Sequence, residues 1–288
     1  MTRRLALIVL AVVAVLATAC GDDGSTAAGS TSSAVVTTSS TSTSSPSATA
    51  DEGTQAPVRV YFAANETIAT AGRMVASPAV ARGAIESLLE GPQGIETEIG
   101  QVSEIPEGTE LLDVVVADGT AAVDLSREFE SGGGSLSMQL RAAQVVFTLT
   151  QFDTVDAVDF SIEGTPVEAL GGEGVPADGV DRGDFEGVTP RILVESPVPG
   201  EEVTSPLPIT GMANTFEANV QYSVTDDEGL IVDEGFTTAT AGNGTFGTFS
   251  ITSEFVVERP GVGSVIGFET SAEDGSQLGV YEVPVEIG

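Results

Sequence analysis

Among 288 residues there is no histidine, no lysine and no tryptophan, and there is a single cysteine. Each absence removes a class of chemistry. Without a second cysteine no disulfide forms within the chain, so every folded unit relies on burial and backbone pairing. Without histidine, Ser-His-Asp and Cys-His triads and histidine zinc sites are excluded. Without lysine, so are lysine Schiff bases. Positive charge is scarce: 10 basic residues, all arginine, face 43 acidic ones, for a net charge of −33. A field of that sign repels nucleic acid and anionic lipid beyond a Debye length of roughly 8 Å, which argues against nucleic acid as a partner. It suits a salt-adapted surface or an acidic protein working outside the cytoplasm. Hydrophobic residues still make up 41% of the chain, enough for a core, and the length allows roughly two domains.

The N-terminus reads as an address. Arg3 and Arg4 precede "LALIVLAVVAVLA", Leu5 to Ala17, an uninterrupted apolar run of 13 residues. That length suits a signal-peptide h-region and falls short of the ~20 residues that span a bilayer. Ala17, Thr18 and Ala19 then lead into Cys20, an order that resembles the lipobox of bacterial lipoproteins. There the cysteine is diacylated and becomes the mature N-terminus. The pattern departs at the third residue before the cysteine, usually Leu and here Ala17, with Leu16 one place earlier. The resemblance implies a signal peptide over residues 1–19, lipidation of Cys20, and anchoring to the outer side of the cell membrane. Ser25 to Ala50 is almost only Ser, Thr and Ala, which cannot bury enough apolar surface to fold. Residues 20–54 are therefore expected as a disordered tether, with an r.m.s. reach of roughly 30 Å.

Two folded units follow. In residues 55–170, "VRVYFAAN" (Val58 to Asn65) has the composition of a buried strand. Ala76 to Pro92 reads as a helix capped by Ser77, with Pro78 at its first position and Gly91-Pro92 as its stop. Gly83 within it permits close packing. Ile105 to Phe129 reads as two strands about Asp118-Gly119, a favoured tight-turn pair. Ser135 to Phe152 is a second helix, capped by Ser135 or Ser137, with Leu136, Leu140, Ala143 and Phe147 on one stripe. Val155 to Gly164 is a last strand. The expected fold class is α+β, in the order β-α-β-β-α-β, with two helices on one face of a sheet. Residues 171–189, rich in Gly, Asp and Pro, read as an interdomain linker, and contain the adhesion-like tripeptide Arg182-Gly183-Asp184. Residues 190–288 hold seven short strand-like runs, which predicts an all-β immunoglobulin-like sandwich. Tyr281, Val283, Val285 and Ile287 alternate on one face, as do Val220, Tyr222 and Val224. Pro284 predicts an edge position or a bulge.

These residues carry a family resemblance. Residues 55–170 resemble a GerMN domain, the sporulation and germination domain of bacterial envelope proteins. The motifs are "AIESLLEGP", "IPEGTELLDVVVADGTAAVDLSREF" and "LRAAQVVFTLTQFDTVDAVDFSIEG". Residues 190–288 are similar to the immunoglobulin-like domain that often follows GerMN in spore-germination lipoproteins. That likeness rests on "ESPVPGEEVTSPLPITGMANTFEANV", with Gly211, Ala213 and Phe216-Glu217, and on "SAEDG" before the closing strand. The resemblance implies an exported envelope protein with a scaffold or interaction role, in sporulation, germination or envelope assembly. Its implied partners are other envelope proteins, the membrane through the lipid, and further copies of itself.

Catalysis is not expected. Asp113 with Asp118, or Glu128 with Glu130, are the carboxylate pairs to propose for glycoside hydrolysis, but among 43 acids close pairs arise by chance. "DDEG" (Asp226 to Gly229) and "SAEDG" (Ser271 to Gly275) place acids beside glycine without the alternating spacing of a calcium loop, and read as turns. "SGGGS" (Ser131 to Ser135) lacks the lysine of a phosphate loop. Phe216 is expected to be buried at a strand end. No catalytic, metal or cofactor-binding residue is predicted, and no cofactor. The alternative function, binding of wall polysaccharide or a small envelope ligand, predicts a groove with exposed aromatics beside Asp or Glu.

Overall fold

The computed structural model describes residues 54–172 and 174–288, so the expected signal peptide, Cys20 and nearly all of the tether lie outside the described residues. The first unit opens on a hairpin, β1 (Gln55–Ala64) and β2 (Thr67–Ala76), paired along its whole length. Sequence patterning predicts only β1. The segment forming β2 is rich in small residues, and its turn has no glycine: Asn65 and Glu66 themselves take positive φ, 50° and 64°. Positive φ at both central residues is what a type I′ hairpin turn requires. The order is thus β-β-α-α-β-β-α-β, not β-α-β-β-α-β, and the hairpin forms a ladder of its own.

Helix α1 (Val80–Leu89) starts later than Ser77-Pro78 would set it. That peptide is cis, Ala79 is the N-cap residue, and the Ser77 N–H donates to the Thr54 carbonyl (2.8 Å). The helix ends where Gly91, at φ 83°, precedes Pro92. Gly83 allows the predicted close packing, because a Cβ there would stand 2.8 Å from Cβ of Val75 on β2. A one-turn helix, α2 (Ile95–Glu98), follows. Strands β3 (Leu111–Ala117) and β4 (Thr120–Leu125) meet at Asp118-Gly119 as predicted. Strand β5 (Ala157–Ile162) runs parallel to β4, and β6 (Thr165–Pro166) completes a four-stranded sheet in the order β3-β4-β5-β6.

Helix α3 (Ser135–Leu149) has Gly134 at its N-cap in place of the expected serine, and Leu136 is exposed rather than part of the apolar stripe. From Leu140 to Leu149 every residue is buried, since the helix packs against β1, β5 and α1 at once. Its buried polar side chains, and Gln151 just beyond its end, make hydrogen bonds, although Arg141 Nε and Gln144 Nε2 have no partner among the described residues. Arg141 donates to the carbonyls of Phe129 and Ser131 (both 2.9 Å) and Gly132 (3.0 Å). Thr148 and Gln151 accept the N–H groups of Tyr61 (3.2 Å) and Arg59 (2.7 Å), covering the outer edge of β1.

Residues 171–189, expected as a linker, are a folded strap. Strand β7 (Ala169–Leu170) pairs with β8 (Val175–Pro176), and Arg182–Val188 forms 3-10 turns. Val175, Ala177, Val180, Phe185 and Val188 are buried in the first unit's core.

All seven expected runs of the second unit are strands. They are β9 (Ile192–Ser196), then, after the two-residue β10 (Glu202–Val203), β11 (Leu207–Ala213), β12 (Asn219–Thr225) and β13 (Ile231–Thr238). β14 (Gly247–Ser253), β15 (Gly261–Thr270) and β16 (Gln277–Ile287) complete the set. The sheets run β10-β16-β15-β12-β13 and β14-β11-β9. Val220, Val224, Val283 and Val285 of the first share one core with Ile192, Val194, Ile209 and Ile251 of the second. Pro284 is tolerated because β10 pairs only with Glu286 and Ile287, so the outer side of β16 has no strand partner at the proline. Phe216, expected to be buried, is 61% exposed, in a turn where Glu217 and Ala218 take positive φ. No helix among the described residues is long and apolar enough to cross a membrane.

Candidate functional site

The two units meet through side chains that sequence patterning gives no reason to connect. Ile192, Leu193 and Val194 are buried in succession on β9: Ile192 and Val194 belong to the second unit's core, and Leu193 to the first's. Opposite them on β11 the register slips, so that Ser196 faces Thr210 and Val194 faces Gly211. Glu195 is the extra residue of this β-bulge, a device that re-aims a side chain. Its carboxylate meets Arg182 of the strap.

Arg182 is enclosed. Its Nη1 donates to Glu195 Oε1 (2.8 Å), its Nε to Thr150 Oγ1 (2.9 Å), and its Nη2 to the Phe147 carbonyl and the Tyr61 hydroxyl (both 3.3 Å). The guanidinium carbon lies 4.7 Å from the Phe147 ring centroid and 5.5 Å from that of Tyr61, within cation–π range. The Tyr61 hydroxyl in turn donates to Glu195. The strap is held in register by a capping box, in which the Asp181 side chain accepts the Gly183 N–H and the Asp184 side chain accepts that of Asp181. Arg182-Gly183-Asp184 is therefore a structural corner, its arginine half-buried and bonded on every side-chain nitrogen and its aspartate engaged. Nearby, the Tyr281 hydroxyl of β16 accepts the Thr70 N–H of β2 (3.0 Å), and Thr70 Oγ1 donates to the Val194 carbonyl (3.0 Å). Gly72 leaves room for the chain after β9: a Cβ there would stand 2.6 Å from a Val198 methyl. The two units belong to one compact body.

Burial by itself would raise the Glu195 carboxyl, but Arg182 and the Tyr61 hydroxyl outweigh it and hold it below the usual carboxylate range. All three tyrosines of the chain lie above their ordinary pKa. Burial is the main cause in each, joined by Glu195 at Tyr61 and by a bond to Asp233 at Tyr222. A folded-state pKa above the unfolded value of about 10 contributes stability that is complete below that pH and lost as pH rises through the folded value. With no tryptophan to interfere, tyrosinate absorbance is expected to stay low through pH ~10 and to appear together with the loss of circular dichroism. A full tyrosinate transition near pH 10 in a chain that keeps its circular dichroism would contradict this burial.

The acids singled out in the sequence are dispersed. Asp113 is exposed and pairs with Arg82 (2.8 Å), while Asp118 occupies the hairpin turn at the far end of β3. Glu128 and Glu130 lie in a 3-10 turn, where Glu130 accepts the Gly171 N–H (2.7 Å). In "DDEG" and "SAEDG" the carboxylates close turns: Asp226 accepts the N–H groups of Glu228 (3.0 Å) and Leu230 (2.9 Å), and Asp274 that of Ser276 (3.1 Å). Among the described residues no cluster of three or more acidic or other ligating side chains is placed to hold a metal. The "SGGGS" loop wraps Arg141 with its carbonyls, and a Cβ at Gly133 would fall 2.5 Å from that guanidinium. Cys20 lies outside the described residues.

Residues 59–168 match the family model for sporulation and spore germination (Germane). Residues 191–276 match that for the immunoglobulin-like domain of bacterial spore germination (Gmad2). No curated protein matches the chain. Among solved structures, the chain is similar to the tandem GerMN domains of the sporulation protein GerM from Bacillus subtilis. Identity is 17% and the TM-score 0.39, over 70% of this chain and 62% of that one. It is similar also to the first GerMN domain of that protein, at 23% identity and a TM-score of 0.36, over 44% of this chain and 98% of that one. The chain thus spans 62% of the length of the tandem structure it matches.

Proposed function

Because the chain joins a sporulation and spore germination domain to the immunoglobulin-like domain of bacterial spore germination, we propose a non-catalytic interaction role in the bacterial envelope. In this reading Cys20 carries a lipid that holds the protein outside the cytoplasmic membrane, and the tether lifts the folded body away from it. The two modules act as a scaffold for other envelope proteins in sporulation, germination or envelope assembly. The observation that carries the reading is the junction at Arg182, Glu195 and Tyr61, which fixes one module against the other. A scaffold needs such fixed geometry, because partners bound at two surfaces are brought into register only if the surfaces do not move independently. Tethering adds to this by raising the local concentration at the membrane.

Cross-linking the anchored protein in its own cells tests both parts. The native chain is expected in the membrane fraction with protein partners attached, whereas Cys20→Ala leaves that fraction and loses them. A Cys20→Ala chain that stays membrane-bound after signal cleavage defeats the lipid anchor. Recovery of glycan fragments without protein partners favours the alternative, polysaccharide binding. One observation speaks for that second reading: an aromatic pair beside a glutamate on the outer face of the second unit.

A further inference from the structure

We propose that the outer face of the five-stranded sheet, across β13, β12 and β15, is a binding platform for an uncharged polysaccharide. It is separate from the Arg182 junction and rests on the second reading above, not on the scaffold reading. The register places Gln221 of β12 directly between Phe236 of β13 and Phe268 of β15, so all three share one face. Neighbouring strands lie about 4.8 Å apart, which sets the two rings roughly 10 Å from each other with an amide between them. Together with Asn219 and Glu234 they line an open cleft of about 360 Å³. Phe236 is 71% exposed and Phe268 is half-buried, so both rings offer open surface to a ligand in the cleft.

The polar groups between the rings suit hydroxyl partners. Gln221 Oε1 is fixed by the Thr270 hydroxyl (2.6 Å), and its Nε2 makes only a long contact with Asn219 (3.5 Å). The Glu234 carboxylate and the Asn219 amide nitrogen have no hydrogen-bond partner among the described residues. Flat apolar surfaces interleaved with amide donors and a carboxylate acceptor match a pyranose chain. The C–H faces of its rings lie on phenyl groups while its equatorial hydroxyls bond to the rail between them. Gln221 and Glu234 interrupt the apolar surface, which argues against insertion into lipid. Charge selects further. With −33 over the chain and Glu234 in the cleft, polyanions are repelled and a neutral glycan is not.

The test is co-sedimentation of the full chain, in mild detergent, with insoluble chitin and with cellulose, at low and high salt. The protein is expected to sediment with one or both, independently of salt. Phe236→Ala and Phe268→Ala should each lower retention about tenfold, while Phe236→Tyr retains it. Since Phe236 is exposed, its alanine variant keeps the native circular dichroism. Three results overturn the proposal: no sedimentation with either polymer, equal sedimentation of the alanine variants, or an effect of Phe236→Ala on self-association alone.

Discussion

Replacing Arg182 by methionine is expected to cost about 3–5 kcal/mol, more than the loss of any exposed ion pair in the chain. The reason is what stays behind. Side-chain exposure is 20% for Arg182 and 13% for Glu195, so the carboxylate would stay largely enclosed with its ion-pair partner gone and only the weaker pull of Arg59 to offset it. The cation–π contacts to Phe147 and Tyr61 disappear with it. In urea the midpoint should fall with the largest part of the loss in the single mutant. Arg182→Met combined with Glu195→Met should recover most of it, because replacing a buried pair by apolar groups of similar volume is often neutral or better. If the pair also locks the two modules together, the single mutant should unfold in two steps, with the m-value of the first step smaller than that of the native transition. A loss below about 1 kcal/mol would place the pair with exposed salt bridges and remove the junction as a structural device.

Much of the architecture could be read from local pattern, and the junction could not. The alternation of Val220, Tyr222 and Val224, and of Val283, Val285 and Ile287, names a buried face without any tertiary information. Asp118-Gly119 names its own turn. Strand β2 fails the same test because its buried residues Ala69, Thr70 and Ala71 are small or polar, and Gly72 makes room for a Val198 methyl of the chain after β9, so nothing in its own pattern marks a strand. The strap over residues 171–189 looks like a linker because Gly, Asp and Pro separate its apolar residues irregularly, yet Val180, Phe185 and Val188 are each buried against α3 or its neighbours. At the junction the partners are too distant for any spacing rule: Tyr61 and Arg182 are 121 residues apart, and the aspartate after Arg182-Gly183 suggests a loop motif. One signal was present. The run Ile192-Leu193-Val194 has no polar alternation, which on a strand means burial on both faces and so a neighbour on each. Phe216 and Phe236 show the converse limit, since a phenylalanine in a turn or strand does not declare whether it faces core or solvent.

Gly211→Ala should strongly destabilise the second unit's smaller sheet, by about 3 kcal/mol. A Cβ at this position would lie 2.0 Å from the Leu193 carbonyl oxygen and 2.9 Å from the Phe249 ring, and the first of these is backbone that cannot rotate away. The crowding has a definite origin. Gly211 is the residue at which β11 slips register against β9, and the slip is what makes Glu195 the unpaired residue of the bulge. The methyl therefore pushes on the element that aims Glu195 at Arg182, although Gly211 touches neither side chain in the hydrogen-bonding scheme of the junction. A double-mutant cycle separates packing from positioning. If the bulge positions Glu195, then Gly211→Ala and Glu195→Gln should be non-additive by about 1 kcal/mol or more, since both act on the same ion pair. If the two losses simply sum to within about 0.5 kcal/mol, Gly211 serves local packing alone and the bulge is not what holds the modules in register. The expected coupling has a sign: once Glu195 is neutral, the misaligned carboxylate no longer contributes a penalty, so Gly211→Ala costs less in that background than in the native chain.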